Sequence, residues 1–125
     1  MTLFKNKKHK LEQLQSKYME SLNIPQCLTD DFELVITEVF TLIGIGTVVT
    51  GTINRGACKV GDNIQILTTS DILESTITDI QLHTEKYRKQ NGYGYKTEFV
   101  GIAIRGISKE QLQIGDKLIR KGGIA

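Results

Sequence analysis

An all-β fold, an antiparallel barrel or sandwich preceded by one amphipathic helix, is what this sequence predicts, and three observations predict it. From residue 32 onward the chain is a series of short runs rich in β-branched residues. Those runs are bounded by Gly, Asn and Asp, the residues of tight turns. No long helical pattern separates them, so the connections read as hairpins and loops instead of crossover helices.

The helix comes first. Phe4, Leu11, Leu14, Tyr18 and Leu22 recur at close to helical spacing among good helix formers, so residues 4–22 read as one amphipathic helix. Pro25 disfavours helix at Ile24, and CLTDD (27–31) reads as a linker with turn chemistry. The expected division is a basic helix and linker over 1–28 and a β domain over 29–125. Strand candidates follow at FELVITEVFTL (32–42), TVVTGTI (47–53), DNIQIL (62–67), STITDIQL (75–82) and FVGIAI (99–104), with KLI (117–119) as a sixth. SKEQLQ (108–113) reads as one helical turn. Val60-Gly61-Asp62 and Ile114-Gly115-Asp116 are echoes of one another. In each, glycine accepts positive φ and aspartate bonds a nearby backbone amide before a strand begins.

The stretch GIGTVVTGTINRG (44–56) reads either as a phosphate cradle or as a tight turn and a strand. A cradle uses its glycines at the entry to a helix, whose free N–H groups face the anion. Here Gly44 and Gly46 lead into the strand-like TVVT, and neither GxxxxGK[ST] nor GxGxxG is satisfied. The turn reading is preferred.

Composition excludes several classes. With 125 residues there is room for one modest core. Hydrophobic residues make up 39% and charged residues 24%, and no apolar run approaches the roughly 20 residues that cross a bilayer. The basic start MTLFKNKKHK lacks the apolar core of a secretory signal, so a cytoplasmic protein is expected. Cys27 and Cys58 form no CxxC and have no nearby His, so they read as small buried hydrophobes and not as zinc ligands or a disulfide. The net charge is +2, but Lys5, Lys7, Lys8, Lys10 and Lys17 outnumber Glu12 and Glu20 over 1–20. Such a basic arm suits RNA or simply a solvated helix face.

With the turns placed, the string F-x-L-x-I-x-x-V-F-x-x-x-G-x-G-T-V-V-T-G-x-I-x-R-G-x-x-K-V-G-D (32–62) resembles the second domain of elongation factor Tu and related translational GTPases. VGIAIRGISKEQLQIGDKL (100–118) resembles the later part of the same domain, and the likeness covers 32–121. It implies a closed six-stranded β-barrel, the number that the strand candidates give. The sequence holds no P-loop, DxxG or NKxD, so the resemblance implies no GTP hydrolysis.

In that family the domain helps hold the aminoacyl end of tRNA, which implies roles for matching positions. Thr37-Glu38-Val39-Phe40 resembles its Glu-Asp-Val-Phe segment, and Gln81 stands where a glutamate lies beside the terminal adenosine. Ile45 and Thr52 replace arginines usual in the family, while Arg55 remains. Residues 84–98, TEKYRKQNGYGYKTE, form a longer segment than the family's. There Lys86, Arg88, Lys89 and Lys96 alternate with Tyr87, Tyr93 and Tyr95, a mixture suited to phosphate contacts and base stacking. The same loop also reads as a mobile hairpin tipped by Gly92 and Gly94. Phe40 likewise reads as core or as a pocket wall. Glu38 falls on a nominally apolar face, which a bulge or an open pocket near residue 38 would explain.

Two functional classes follow. The first is a stand-alone barrel binding RNA (tRNA or rRNA) or the ribosome through Glu38, Phe40, Arg55, Gln81 and the 84–98 loop. The second is a protein-docking domain with no nucleic-acid role, using its barrel surface or its helix, which lays Leu11, Leu14, Tyr18 and Leu22 on a partner or folds back on its own barrel. An enzyme is not expected, since no paired carboxylates, Cys/His pair or Ser/His/Asp arrangement is found. No cofactor or metal is expected, and His9 and His83 have no partner for either.

Overall fold

The computed structural model describes residues 3–83 and 88–122, with side chains over 12–83 and 88–122. Among the described residues two helices, α1 (Leu3–Ser21) and α2 (Ile24–Thr29), precede nine strands. These are β1 (Phe32–Val35), β2 (Glu38–Leu42), β3 (Gly46–Arg55), β4 (Ala57–Lys59), β5 (Asn63–Leu67), β6 (Ile72–Leu82), β7 (Tyr93–Tyr95), β8 (Phe99–Ile104) and β9 (Lys117–Arg120). A 3₁₀ turn at Lys109–Gln111 stands where one helical turn is expected.

Six strands close on themselves in the order β1-β9-β5-β6-β8-β3, with β3 returning to β1, and every pairing is antiparallel. The expected closed six-stranded barrel is therefore present. Closure leaves no free edge in the ring. Its interior holds Leu34, Val49, Ile53, Ile66, Ile77, Ile102 and Leu118, all essentially inaccessible to solvent.

The run FELVITEVFTL, expected as one strand, is two. Ile36 and Thr37 leave the ladder: Ile36 N–H donates to Asp116 O at 2.8 Å and Thr37 N–H to Thr50 O at 2.8 Å. This break changes the phase of the alternation. Phe32, Leu34 and Ile36 point into the barrel before it, and Val39 packs on the core after it. Glu38, Phe40 and Leu42 consequently face outward along β2, which explains the carboxylate among apolar neighbours.

β2 and β3 are joined by a hairpin in which Gly44 and Gly46 have φ of 81° and 103°, and Ile45 N–H donates to Leu42 O at 3.1 Å. The Gly-x-Gly is thus a turn into a strand. The paired Gly-Asp turns behave as expected too. Asp62 Oδ2 accepts from Lys59 N–H at 2.9 Å and Asp116 Oδ2 from Gln113 N–H at 2.8 Å.

The N-terminal segment differs from expectation. Residues 24–29 are helical instead of forming a linker, because Pro25 sits in the first turn of α2, where its missing N–H has no bond to lose. Asn23, left-handed at φ 48°, turns the chain between the helices. Tyr18, Leu22, Ile24, Cys27 and Leu28 then pack against Ala57, Tyr93 and Tyr95 of the small β4–β7 ribbon. Of the two alternatives for the helix, its C-terminal half takes the one in which it folds back on the barrel. No helix among the described residues is long and apolar enough to cross a membrane.

Candidate functional site

The outward residues of four neighbouring strands build the site. Register places Glu38 opposite Thr50, Thr50 opposite Gly101, and Gly101 opposite Gln81. One step along, Phe40 stands opposite Val48, Val48 opposite Ala103, and Ala103 opposite Asp79. The centre of each row carries small residues, and its ends carry larger or polar ones. A trough of about 120 Å³ results, floored by Val48, Gly101 and Ala103 and walled by Leu42, Ile45, Asp79 and Gln81. Glu38 and Gln81 are exposed, and Phe40 is half-buried outside the core. His83 and Phe99 extend the same face, with ring centroids 4.8 Å apart in an edge-to-face contact. Three sequence-predicted residues, Glu38, Phe40 and Gln81, therefore share one surface.

Arg55 does not join them. It lies at the far end of β3, five residues beyond Thr50, about 17 Å at the rise of a strand. Its guanidinium is 3.8 Å from Asp30 Oδ1, a loose exposed pair. Lys96, exposed, is anchored at that end by its N–H donating to Gly56 O at 2.9 Å.

Within the basic, aromatic loop, the expected contact role needs correction at Arg88 and Tyr95. Lys86 and Tyr87 lie outside the described residues. Arg88 and Tyr95, by contrast, are buried at 5% exposure each, so neither offers a face to phosphate or base. Arg88 Nε and Nη2 donate to Glu98 Oε2 and Oε1, both at 2.7 Å, in a two-pronged ion pair. Its remaining N–H groups reach Lys89 O, Asn91 Oδ1 and Tyr93 O, which uses all five guanidinium donors. The guanidinium carbon also sits 4.6 Å from the Tyr95 ring centroid. Tyr93, half-buried, stacks on Tyr95 at 5.8 Å. Lys89 stays exposed.

Glu98 receives, besides Arg88, the Tyr18 hydroxyl at 2.6 Å and the Tyr95 N–H at 2.8 Å. Burial alone would push its carboxyl up, but these donors outweigh burial and hold it below the usual carboxylate range. Burial likewise acts to lower Arg88, and Glu98 more than compensates, so the guanidinium is firmly charged. This clamp ties α1, the 88–95 segment and the entry to β8 together. Burial, and then the nearby Asp62, push the Cys58 thiol far up, so it is an inert hydrophobe, as the sequence suggests.

Sequence reasoning missed Asp79, Leu42, Val48, Gly101 and Ala103 in the trough, and Glu98 in the clamp. A signal existed for the first group: in FVGIAI the small Gly101 and Ala103 alternate with Val100, Ile102 and Ile104, which is how a strand leaves space on its outer face. Glu98 gave none beyond being an acid at the end of a basic loop. Among the described residues no group of His, Cys, Asp and Glu is placed to hold a metal ion. Compared with known families, residues 46–119, more than half of the chain, match the family model for elongation factor Tu domain 2.

Proposed function

The chain belongs to the elongation factor Tu domain 2 family, and on that premise we propose that it is an RNA-binding module that docks the unpaired 3′ end of a tRNA-like strand without hydrolysing GTP. One observation carries the reading: Glu38, Phe40 and Gln81 stand on one outer face, in which Gln81 lines a trough the size of a small group. The chemistry suits a terminal nucleoside. Phe40 offers a ring against which a base can stack. The Gln81 amide both donates and accepts, as a ribose hydroxyl or base edge requires. Glu38 accepts hydrogen bonds but gives none, which selects hydroxyl and amino groups over phosphate. Val48 and Ala103 give the floor an apolar surface. The exposed Lys89, Lys96 and Arg55, away from the trough, serve the flanking strand or ribosomal RNA.

The protein-docking reading has less support, because Tyr18 and Leu22 are used on the barrel and are not free to meet a partner. The test is fluorescence anisotropy with a short single-stranded RNA ending in an unpaired adenosine. Gly101→Leu, which projects a side chain into the trough, is expected to weaken binding at least tenfold while leaving the circular dichroism spectrum unchanged. Equal affinity of Gly101→Leu and the parent chain would reject the trough as the site.

A further inference from the structure

β2 differs from the other strands of the main sheet in having a neighbour on one side only. β3 takes one of its edges, and the ring closes between β3 and β1 without it. Alternate N–H and C=O groups of an antiparallel strand point away from its partner, so the outer edge of β2 is a row of main-chain donors and acceptors. Among the described residues, the one main-chain hydrogen bond that 38–42 make beyond the β2–β3 ladder is from Ile45 N–H to Leu42 O, within the hairpin turn. The neighbouring 3₁₀ turn makes none with this strand.

Sheet edges are guarded by lysine, proline, a bulge or a covering loop. Here the break at 36–37 lies before the edge, and the run Val39-Phe40-Thr41-Leu42-Ile43 holds no charge, proline or glycine. Such a run is suited to pairing with another strand. Its apolar side chains are open as well: Ile43 is fully exposed, and Leu42 and Ile45 are 41% and 53% exposed. Glu38 is the single charge between 38 and 46.

We propose that the β2 edge pairs with β2 of a second copy of this chain, antiparallel about a two-fold axis at Phe40. That register pairs the whole of 38–42 with itself. Phe40 stands opposite Phe40, Val39 opposite Thr41, and Glu38 of each copy opposite Leu42 of the other. The aromatic pair adds to the ladder. The two Glu38 carboxylates lie four residues apart along the strands, about 13 Å, so the segment's one charge does not meet itself. The axis is perpendicular to the sheet, so the outer faces of both copies lie on one side of a continuous sheet. Five residues a side and two hairpin tips bury less than the roughly 1,200 Å² of a stable interface, which makes the dimer weak, with a dissociation constant of about 0.1–1 mM. The inference does not depend on RNA binding.

Sedimentation velocity on the whole chain, from about 10 μM to about 1 mM, tests this. The mean mass should rise toward that of two chains and no further, because a two-fold contact closes. Leu42→Glu sets a carboxylate opposite Glu38 at two symmetric places and is expected to weaken association about tenfold. Glu38→Lys combined with Leu42→Glu makes both pairs opposite in sign and should restore it. Both positions are exposed, so each variant should keep the circular dichroism spectrum of the parent. A parent chain that stays single throughout overturns the proposal and leaves the edge to an extended segment of a different protein. Dimers indifferent to Leu42→Glu overturn it too, since the contact then lies elsewhere. Weakening by Leu42→Glu without rescue by the double variant overturns the register centred on Phe40.

Discussion

The trough and the Arg88–Glu98 clamp lie on the same small barrel and use polar residues in opposite ways. In the clamp, charge is taken out of water and every donor is matched: Arg88 and Glu98 side chains are 2% and 0% exposed, and a tyrosine from α1 completes the set. On the trough face, Glu38 and Gln81 stay in solvent while the floor residues Val48, Gly101 and Ala103 are buried. A fully satisfied cluster has no capacity left for a ligand, so it holds elements together. An unsatisfied polar rim beside an apolar floor contributes little to folding and leaves its hydrogen bonds for a partner. Residue type alone does not separate the two, since arginine, tyrosine and glutamate suit both.

The most severe way to break the comparison is Glu98→Ala. It leaves the Arg88 charge buried with no counter-ion, and removing one partner of a buried pair costs about 3–5 kcal/mol. Urea denaturation should register that loss, whereas Glu38→Ala on the trough face should fall within about 0.5 kcal/mol. Comparable losses at the two glutamates would erase the distinction.

Acid should act on the clamp in the same direction. The folded Glu98 carboxyl lies below its ordinary value, so its contribution is fully present above the unfolded carboxylate range, near pH 4.3, and is lost as pH falls through the folded value. Urea midpoints measured from pH 7 downward should therefore drop on the acid side, and Glu98→Gln should flatten that limb. An unchanged acid limb in Glu98→Gln would assign it to other carboxylates.

Tyr18→Phe removes only the hydroxyl that joins α1 to the carboxylate. A hydrogen bond to a charged group is worth about 1.5–3 kcal/mol, and the partial exposure of Tyr18 places the loss at the lower end. Proteolysis should then cut faster within α1 than in the parent chain, while RNA binding at the trough is retained. This variant sharpens the comparison by loosening one region alone.

How much of this was legible in the sequence follows the same division. The barrel could be read because turn chemistry at Gly61-Asp62 and Gly115-Asp116 and the β-branched runs act locally. α2 was missed because Pro25 stops a helix in its interior but starts one in its first turn, and only the packing of Leu22 and Cys27 decides between them. Glu38 looked misplaced because a two-residue break at 36–37 reverses alternation, an event set by Asp116 and Thr50 far along the chain. The 84–98 loop misled for a deeper reason. Two of its described residues, Arg88 and Tyr95, are taken up in a buried ion pair, and their fate depends on Glu98 at the loop's own end and on Tyr18, far back in α1.

The smallest expected effect concerns two glycines. A Cβ on Gly94, beside the clamp, would come within 2.8 Å of Ile53 Cδ1 and 3.4 Å of Cys58 Sγ, so Gly94→Ala must push the core aside at about 1–3 kcal/mol. On Gly101 the nearest atoms would be Val48 Cγ1 at 3.7 Å and Gln81 Cβ at 4.0 Å, ordinary contacts on an outer face. Its backbone is not in the left-handed region, so alanine fits without strain and reduces the freedom of the unfolded chain. Gly101→Ala should thus leave stability unchanged or raise it by up to about 1 kcal/mol, while the added methyl shallows the trough and weakens binding of an adenosine-ended RNA. Stability and binding moving in opposite directions at Gly101, and stability alone falling at Gly94, is the pattern expected if one region is built to hold the fold and the other to receive a ligand. If Gly101→Ala instead destabilised as much as Gly94→Ala, the floor of the trough would be part of the packing, and the space above it a consequence of the fold instead of a site.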